Sequence, residues 1–500
     1  MFNTAGTSAI TFNGEIYGYR EIKKQISNYK FQTNSDTEVI LALYDKHGAE
    51  FVKELPGMFA FALWDDASQT LIAARDRFGE KPFYYATAPS GEFVFASEIK
   101  AILASGLIAP ELSGNALAHY FHKLHVGPLQ TIYSTIHVLP PGHTLVYQDG
   151  KLAVSRYWQM PKTRESITLQ EALPEFKRLF TDAVRRQLVA DVTVGAFLSG
   201  GLDSTTIVSV ASQFSPKIKT FAFGFRDSKN ELPFARMAAE KYGTEHHEMS
   251  DSDYDIATLL PKMAEVYDEP FADSSNIPTY LISEQTRRHA TVALSGDGGD
   301  ELLGGYSSYR PLLPQTWFAQ LFAKAPAPRN VYFSAQEIAG LGAASPPEPP
   351  LLTNPDDAMR DDVIEYLPGD ILVKTDRASM AHGLELRAPF LDQPFAEFAA
   401  SLPYRLKIDK AEDKIILRRA FEETWPEPIR TRGKQGFGAP VHRWLAEPAV
   451  TKLLHKHLDD PHKKIFKHIS FEASRPYTAR GDYKTWILLI LSLWMEKHLS

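Results

Sequence analysis

Five hundred residues are more than one ordinary hydrophobic core accommodates, so two or three domains are expected. The 44% hydrophobic and 23% charged content is that of soluble globular chains, and a formal net charge of -7 with no basic run argues against a nucleic-acid surface. There is no cysteine, which excludes disulfides, thiolate metal sites and a cysteine nucleophile anywhere in the sequence.

In chain order, short alternating runs at Ala9–Phe12, Met58–Trp64, Thr70–Ala74 and Glu92–Ala96 predict strands separated by Gly, Pro and Asp turns, with a helix over Ser35–His47. This is the pattern of an antiparallel β-rich domain over residues 1–158, followed by a linker near Met160–Ser166 and a second domain over 167–500. There the apolar spacing turns helical from Leu169 to Leu188. Strands at Thr193–Leu198, Lys217–Phe223 and Thr291–Leu294 then alternate with helices starting near Ser204 and spanning Leu232–Tyr242 and Ile277–Arg288. Such alternation predicts a parallel sheet with helices on both faces. The Pro/Ala-rich stretch Gly340–Pro355 reads as a loop, and the chain after Asp361 as mainly helical. Trp486–Trp494 is far too short for a membrane span and reads as a buried helix. Without a basic flank and apolar signal core at the N-terminus, nothing directs export, and a cytoplasmic location is expected.

Two loops carry the chemistry. Ser199, Gly200, Gly201, Leu202, Asp203 and Ser204 turn a strand into a helix. Paired glycines let backbone N–H groups converge, and the helix N-terminus adds its positive dipole. Asp203 would repel phosphate unless a divalent cation lay between them. No Gly-Lys-Ser/Thr follows, so the loop is not of the Walker type; it resembles the pyrophosphate loop of ATP pyrophosphatases. The second loop, Ser295, Gly296, Asp297, Gly298, Gly299, Asp300 and Glu301, follows another strand and repeats this logic. By itself it is an ordinary Gly- and Asp-rich turn. Paired with the first, it marks the crevice where open α/β sheets bind ligands.

Across nearly its whole length the chain resembles the class II glutamine amidotransferases of the asparagine synthetase type. The resemblance rests on SGGLDS, SGDGGDELLGGY at Ser295–Tyr306, DEPFADSSNIPTY at Asp268–Tyr280, DRASMAHGLELRAPFLD at Asp376–Asp392 and KQGFGAP at Lys434–Pro440. In the first domain it rests on FNGEIY at Phe12–Tyr17, SDTEVILALY at Ser35–Tyr44 and RDRFGEKPFYY at Arg75–Tyr85. It implies a truncated Ntn-type αββα glutaminase domain, then an adenine-nucleotide α-hydrolase-like (ATP pyrophosphatase) parallel α/β domain with a helical C-terminal part.

The implied reaction has two steps: a carboxylate attacks the α-phosphate of ATP, giving an acyl-adenylate and pyrophosphate, and ammonia then displaces AMP. The resemblance assigns Ser199, Gly200, Gly201 and Ser204 to the pyrophosphate, Asp203 and Asp300 to Mg²⁺, and Leu198, Phe223, Ser295 and Gly296 to the adenosine and its phosphate. Asp297 stands where the family has an acid needed for adenylation. Lys414 stands where it has a lysine neutralising the α-phosphate, although alone it reads as a solvated helix lysine. Partners are then small molecules, with a homodimer open.

The glutaminase half departs from the family, whose members begin Met-Cys. Here Met1-Phe2-Asn3 supplies no thiol, and an early arginine segment that holds the glutamine carboxylate is absent. The resemblance leaves Asn13 and Gly14 as the oxyanion hole, with Glu15 and Asp36 binding the glutamine amino group; alone, Asn-Gly reads as a type I′ hairpin turn. A Gln-Pro-Met stretch usually precedes NGEIY in the family, so Met1 is read as internal and the opening strands as missing, by truncation of the gene model or by evolved loss. Loss of those strands predicts an exposed apolar face and an unpaired strand edge. Aspartate is the default acceptor, but DEPFADSSNIPTY differs from the Thr- and Arg-bearing stretch of aspartate-specific enzymes. A surface-polysaccharide or peptide carboxylate, an ammonia-dependent ligase and a non-catalytic scaffold all stay open.

Overall fold

The computed structural model describes residues 1–225, 231–250, 254–314, 330–346, 352–432 and 438–499. Most of the expected KQGFGAP motif, 434–437, lies outside them. The chain divides into two compact units, Met1–Ala109 with Thr135–Thr163 and Leu391–Ser401, and Pro110–Ser134 with Arg164–Phe390 and Leu402–Ser500.

The first unit is built on an antiparallel sheet with strands β1 (Ser8–Glu15), β2 (Met58–Asp65), β3 (Thr70–Arg75), β7 (His143–Gln148) and β8 (Lys151–Arg156) side by side in that order. A smaller sheet orders β5 (Phe93–Ala96), β4 (Tyr84–Thr87) and β6 (His137–Val138). Successive strand side chains point to opposite faces, and β2 uses both. Phe59, Phe61 and Leu63 pack with Val39, Ile40 and Leu43 of the helix Thr37–His47, while Ala60 and Ala62 pack with Phe83, Tyr85 and Leu139 beside the small sheet. A strand covered on both faces has no polar alternation, so Met58–Trp64 is a strand as expected but an unbroken apolar run rather than the alternating one. β1 lies at the sheet edge.

The second unit carries a five-stranded parallel sheet: β9 (Val194–Phe197), β10 (Lys219–Gly224), β11 (Glu245–Ser250), β12 (Val292–Leu294) and β13 (Glu385–Arg387), in the spatial order β11-β10-β9-β12-β13. The chain runs outward from β9 to β11 and returns on the other side of β9. The crevice at the C-terminal ends of β9 and β12 is therefore the topological switch point, where such sheets bind ligands. The helix after β9 starts at Leu202 rather than near Ser204, because Gly201 takes the N-cap position and its carbonyl accepts from Thr205 N–H at 3.0 Å. Asp203 and Ser204 consequently sit in its first turn. Within 340–355 the described parts 341–346 and 352–354 are irregular, as expected, and 347–351 lie outside the described residues. The predominantly helical remainder is interrupted by β13, whose three residues are too few to show a period.

The helix Tyr483–His498, capped by Asp482, is buried along Thr485–Met495. No helix among the described residues is long and apolar enough to cross a membrane. Its indoles brace the segment that follows Asp268: Trp486 Nε1 donates to Ala272 O at 2.9 Å and Trp494 Nε1 to Asp268 O at 3.1 Å.

Candidate active site

Both Gly-rich loops sit at the switch point and share one cavity of about 450 Å³. Gly200 has a left-handed φ of 71°, and a Cβ there would lie 2.5 Å from Phe234 Cβ and 2.6 Å from Ala235 N, so only glycine lets the loop press against the next helix, Leu232–Tyr242. The serines fold inward: Ser199 Oγ and Ser204 Oγ are 3.1 Å apart, Ser204 Oγ accepts from Ser199 N–H at 3.2 Å, and Ser199 Oγ accepts from Gly201 N–H at 3.2 Å. These hydroxyls and amides are internally satisfied without a ligand and can turn to an anion in its presence. The second loop closes on the first, a Cβ at Gly299 falling 3.0 Å from Asp203 Cγ. Ser295 Oγ donates to Asp297 Oδ2 at 2.8 Å. Burial pushes the Asp297 carboxyl up, opposed by the Ser295 bond and the Lys374 charge.

Lys414 is 2% exposed, which overturns its reading as a solvated helix lysine. It precedes the helix Ile415–Phe421 with a left-handed φ of 50°, and its Nζ bridges Asp203 Oδ2 and, at 2.6 Å, Asp300 Oδ1. Burial alone would lower its pKa; the two carboxylates outweigh burial and hold it above the ordinary lysine value. Gly305 is obligatory here because a Cβ would lie 1.8 Å from Asp300 Oδ1 and 2.5 Å from Lys414 Cε. Two carboxylates that converge on one ammonium can share a divalent cation, and Mg²⁺ is commonly held by one or two carboxylates together with substrate phosphates. The donor set fits that ion.

The remaining wall is also charged. Lys374 Nζ lies 2.8 Å from Asp273 Oδ2 and 3.8 Å from Asp370 Oδ1. Burial raises the Asp273 pKa, but Lys374 more than reverses this and holds it at about 2. Glu301 is pushed up to about 8 by burial and by Asp300, and it accepts from Tyr306 Oη. The segment Asp362–Ile371 winds as a wide π-helix and brings Tyr366 and Ile371 to the cavity, just before Lys374 and Thr375 of the helix Leu372–Met380.

Every position assigned to ATP, metal or adenylation lines this one cavity: Leu198, Ser199, Gly200, Gly201, Asp203, Ser204, Phe223, Ser295, Gly296, Asp297, Asp300 and Lys414. Glu301, named in the second loop without a role of its own, lines it too, as do Asp273, Lys374 and Arg432, which sequence reasoning passed over. Asp273 and Glu301 lie inside quoted motifs, whereas Lys374 stands two residues before one. Arg432 likewise stands two residues before the KQGFGAP motif.

In the first unit, Asn13, Gly14 and Glu15 lie within β1, opposite Ala60, Phe59 and Met58, so Asn13-Gly14 is not a hairpin turn. Asp36, at the start of the helix Thr37–His47, accepts from Ile16 N–H at 2.9 Å, which ties it to the end of β1 beside these residues.

A glutamine amidotransferase domain matches residues 1–158, and the asparagine synthase family matches residues 175–496. The chain is 32% identical to "Asparagine synthetase (glutamine-hydrolyzing) 1" of Bacillus subtilis (strain 168), over 97% of this chain and 85% of that protein. A putative asparagine synthetase (glutamine-hydrolyzing) of Mycobacterium bovis is 32% identical over 97% of this chain and 84% of its own. Another from Methanocaldococcus jannaschii is 40% identical over 60% of this chain and 59% of its own. With its family match covering the whole parallel α/β sheet and its relatives aligned over nearly the full length, the chain belongs to the asparagine synthase family of carbon–nitrogen ligases.

Proposed function

We propose that the chain forms an amide from a carboxylate through an acyl-adenylate. A carboxylate oxygen attacks the α-phosphorus of ATP, the bond to the β-phosphate oxygen breaks, and pyrophosphate leaves. Ammonia then attacks the acyl carbon, loses a proton and expels AMP. The observation that carries this reading is the meeting of both Gly-rich loops, Asp297 and the Lys414 cluster around one cavity. Ser199, Gly200, Gly201 and Ser204 bind the pyrophosphate, and Leu198, Phe223, Ser295 and Gly296 seat the adenosine and its phosphate. Lys414 neutralises charge at the α-phosphate, where a preorganised cation in a water-poor site acts most strongly. Mg²⁺, held by Asp203 and Asp300, would supply further charge neutralisation. A non-catalytic scaffold has no use for this many buried charges, because each is costly to desolvate.

Aspartate is the default acceptor. A carboxylate on a larger surface-polysaccharide or peptide precursor is the second reading, motivated by the departure of DEPFADSSNIPTY from the aspartate-specific stretch, since Asp273, Ser275 and Thr279 of that segment line the cavity. The test is exchange of labelled pyrophosphate into ATP, expected only with acceptor and Mg²⁺ present; release of ADP and phosphate would overturn the reading. The nitrogen source divides differently. Glutamine is the donor where a family-type cysteine is present, through Asn13, Gly14, Glu15 and Asp36. These 500 residues hold no thiol, so they should use free ammonia and hydrolyse no glutamine, which a glutaminase assay with ammonia as the alternative donor checks.

A further inference from the structure

An ion pair at the pyrophosphate loop has no part in the chemistry above. Arg432 Nη2 donates to Glu231 Oε1 at 2.5 Å, Arg432 Nη1 reaches Gly200 O at 3.4 Å, and the guanidinium carbon lies 4.3 Å from the Phe234 ring centroid. Both side chains line the cavity, with 11% and 12% exposure. Among the described residues three cations line it, Lys374, Lys414 and Arg432. Lys374 is clasped by Asp273 and Asp370, and Lys414 by Asp203 and Asp300, so each sits between two acids. Arg432 stands at the glycine whose left-handed turn opens the loop.

A largely buried ion pair is weak evidence for stability, since desolvation consumes much of its attraction. Its position points to recognition instead. A planar guanidinium fork matches two oxygens of a carboxylate or of a phosphate equally well. We propose that Glu231 is a stand-in for the nucleotide: when ATP seats on Ser199–Ser204, Arg432 exchanges the Glu231 carboxylate for oxygens of the β- and γ-phosphates. It stays on them as they become pyrophosphate, and Glu231 takes it back on release. The step exchanges hydrogen bonds only; no covalent bond forms or breaks. It rests on the pyrophosphate-loop reading of the preceding section.

The exchange gives the two partners opposite signs. R432Q should weaken inhibition by pyrophosphate and raise the KM for ATP on the order of 10-fold or more, the loss of a charge-assisted bond. Inhibition by AMP, which lacks the diphosphate, should change by less than about 2-fold, within ordinary surface effects. E231Q, by removing the competitor for Arg432, should strengthen pyrophosphate inhibition by about 3-fold. A pair that merely holds the loop together would make both variants weaken pyrophosphate and AMP alike. That result, or unchanged pyrophosphate inhibition in folded R432Q, overturns the proposal. If R432Q does not fold, R432K carries the test: it keeps the charge without the fork and should lose pyrophosphate affinity several-fold with AMP unchanged, and an unchanged affinity overturns the proposal equally. Release of ADP and phosphate by the unmodified chain would instead remove the reading on which the proposal stands.

Discussion

The two units bury charge in opposite ways. In the first, Asp76 is fully buried in the loop after β3. Its carboxylate accepts from the N–H groups of Phe78 at 3.0 Å, Gly79 at 2.7 Å, Glu80 at 3.0 Å and Lys81 at 2.9 Å. Arg75 beside it donates to the carbonyls of Lys81, Leu139 and Gly79 at 2.7, 3.0 and 2.9 Å. In the second, Lys414 pairs with Asp203 and Asp300, and all three face a cavity. A charge saturated by backbone cannot change partner without unfolding the loop. One held by a lysine side chain can pass to a ligand at modest cost. The RDRFGEKPFYY motif, as telling of the family as SGGLDS, is therefore scaffolding by its geometry, and exchangeability of partners separates the two.

The contrast breaks most readily at Asp203. Asp203→Ala should lower pyrophosphate–ATP exchange by on the order of 1000-fold, since on the proposed reading a metal ligand and a fixed charge are lost together, while the melting temperature stays close to that of the parent. Asp76→Ala should do the reverse, costing about 3–5 kcal/mol by stranding several N–H donors and Arg75. Thermal unfolding would record that loss, and the fraction that folds should keep its exchange activity; a kinetic defect at full stability would erase the distinction. Lys414→Ala should cut turnover by a factor of ~100 or more with the fold retained, and a near-normal rate in folded protein would return the residue to a structural role.

The smallest effect concerns pH. Glu269 accepts from Ile132 N–H at 2.6 Å, and its pKa is pushed up to about 8 by burial first and by the Asp268 charge. An unfolded glutamate titrates near ~4.3. The native state thus keeps a proton that the unfolded chain has released. The stabilisation is complete below about pH 4 and declines as pH rises towards 8. Glu269→Gln should flatten that decline, by about 2 °C in melting temperature between pH 5 and pH 8; an unchanged slope would show that Glu269 is already ionised when folded.

Much of the site was legible because the shape of a Gly-rich loop is written locally. Gly200-Gly201 between a strand and a helix, and Gly298-Gly299 after a second strand, dictate backbone geometry over a few residues, and local geometry is what sequence records. The helix Tyr483–His498 was legible for a similar reason, since the unbroken apolar run Trp486–Trp494 admits few solvated alternatives, whereas β2 was expected as an alternating strand and its burial on both faces leaves no alternation. Asn13-Gly14 misleads as a turn because pairing with Ala60 and Phe59, far along the chain, overrides the local preference.

What the sequence determined alone was the pair of loops, the alternation of strands and helices in the second unit, and the absence of any thiol. Only the tertiary structure decided that β12 returns beside β9, so that loops almost a hundred residues apart close on one cavity. The same fold buries Lys414 between Asp203 and Asp300 and sets Arg432 against Glu231 at Gly200. These are contacts between distant segments, fixed by the sheet order and by burial. A residue's solvation, and with it the difference between a surface lysine and a site cation, is a property of what packs around it rather than of its neighbours in the chain.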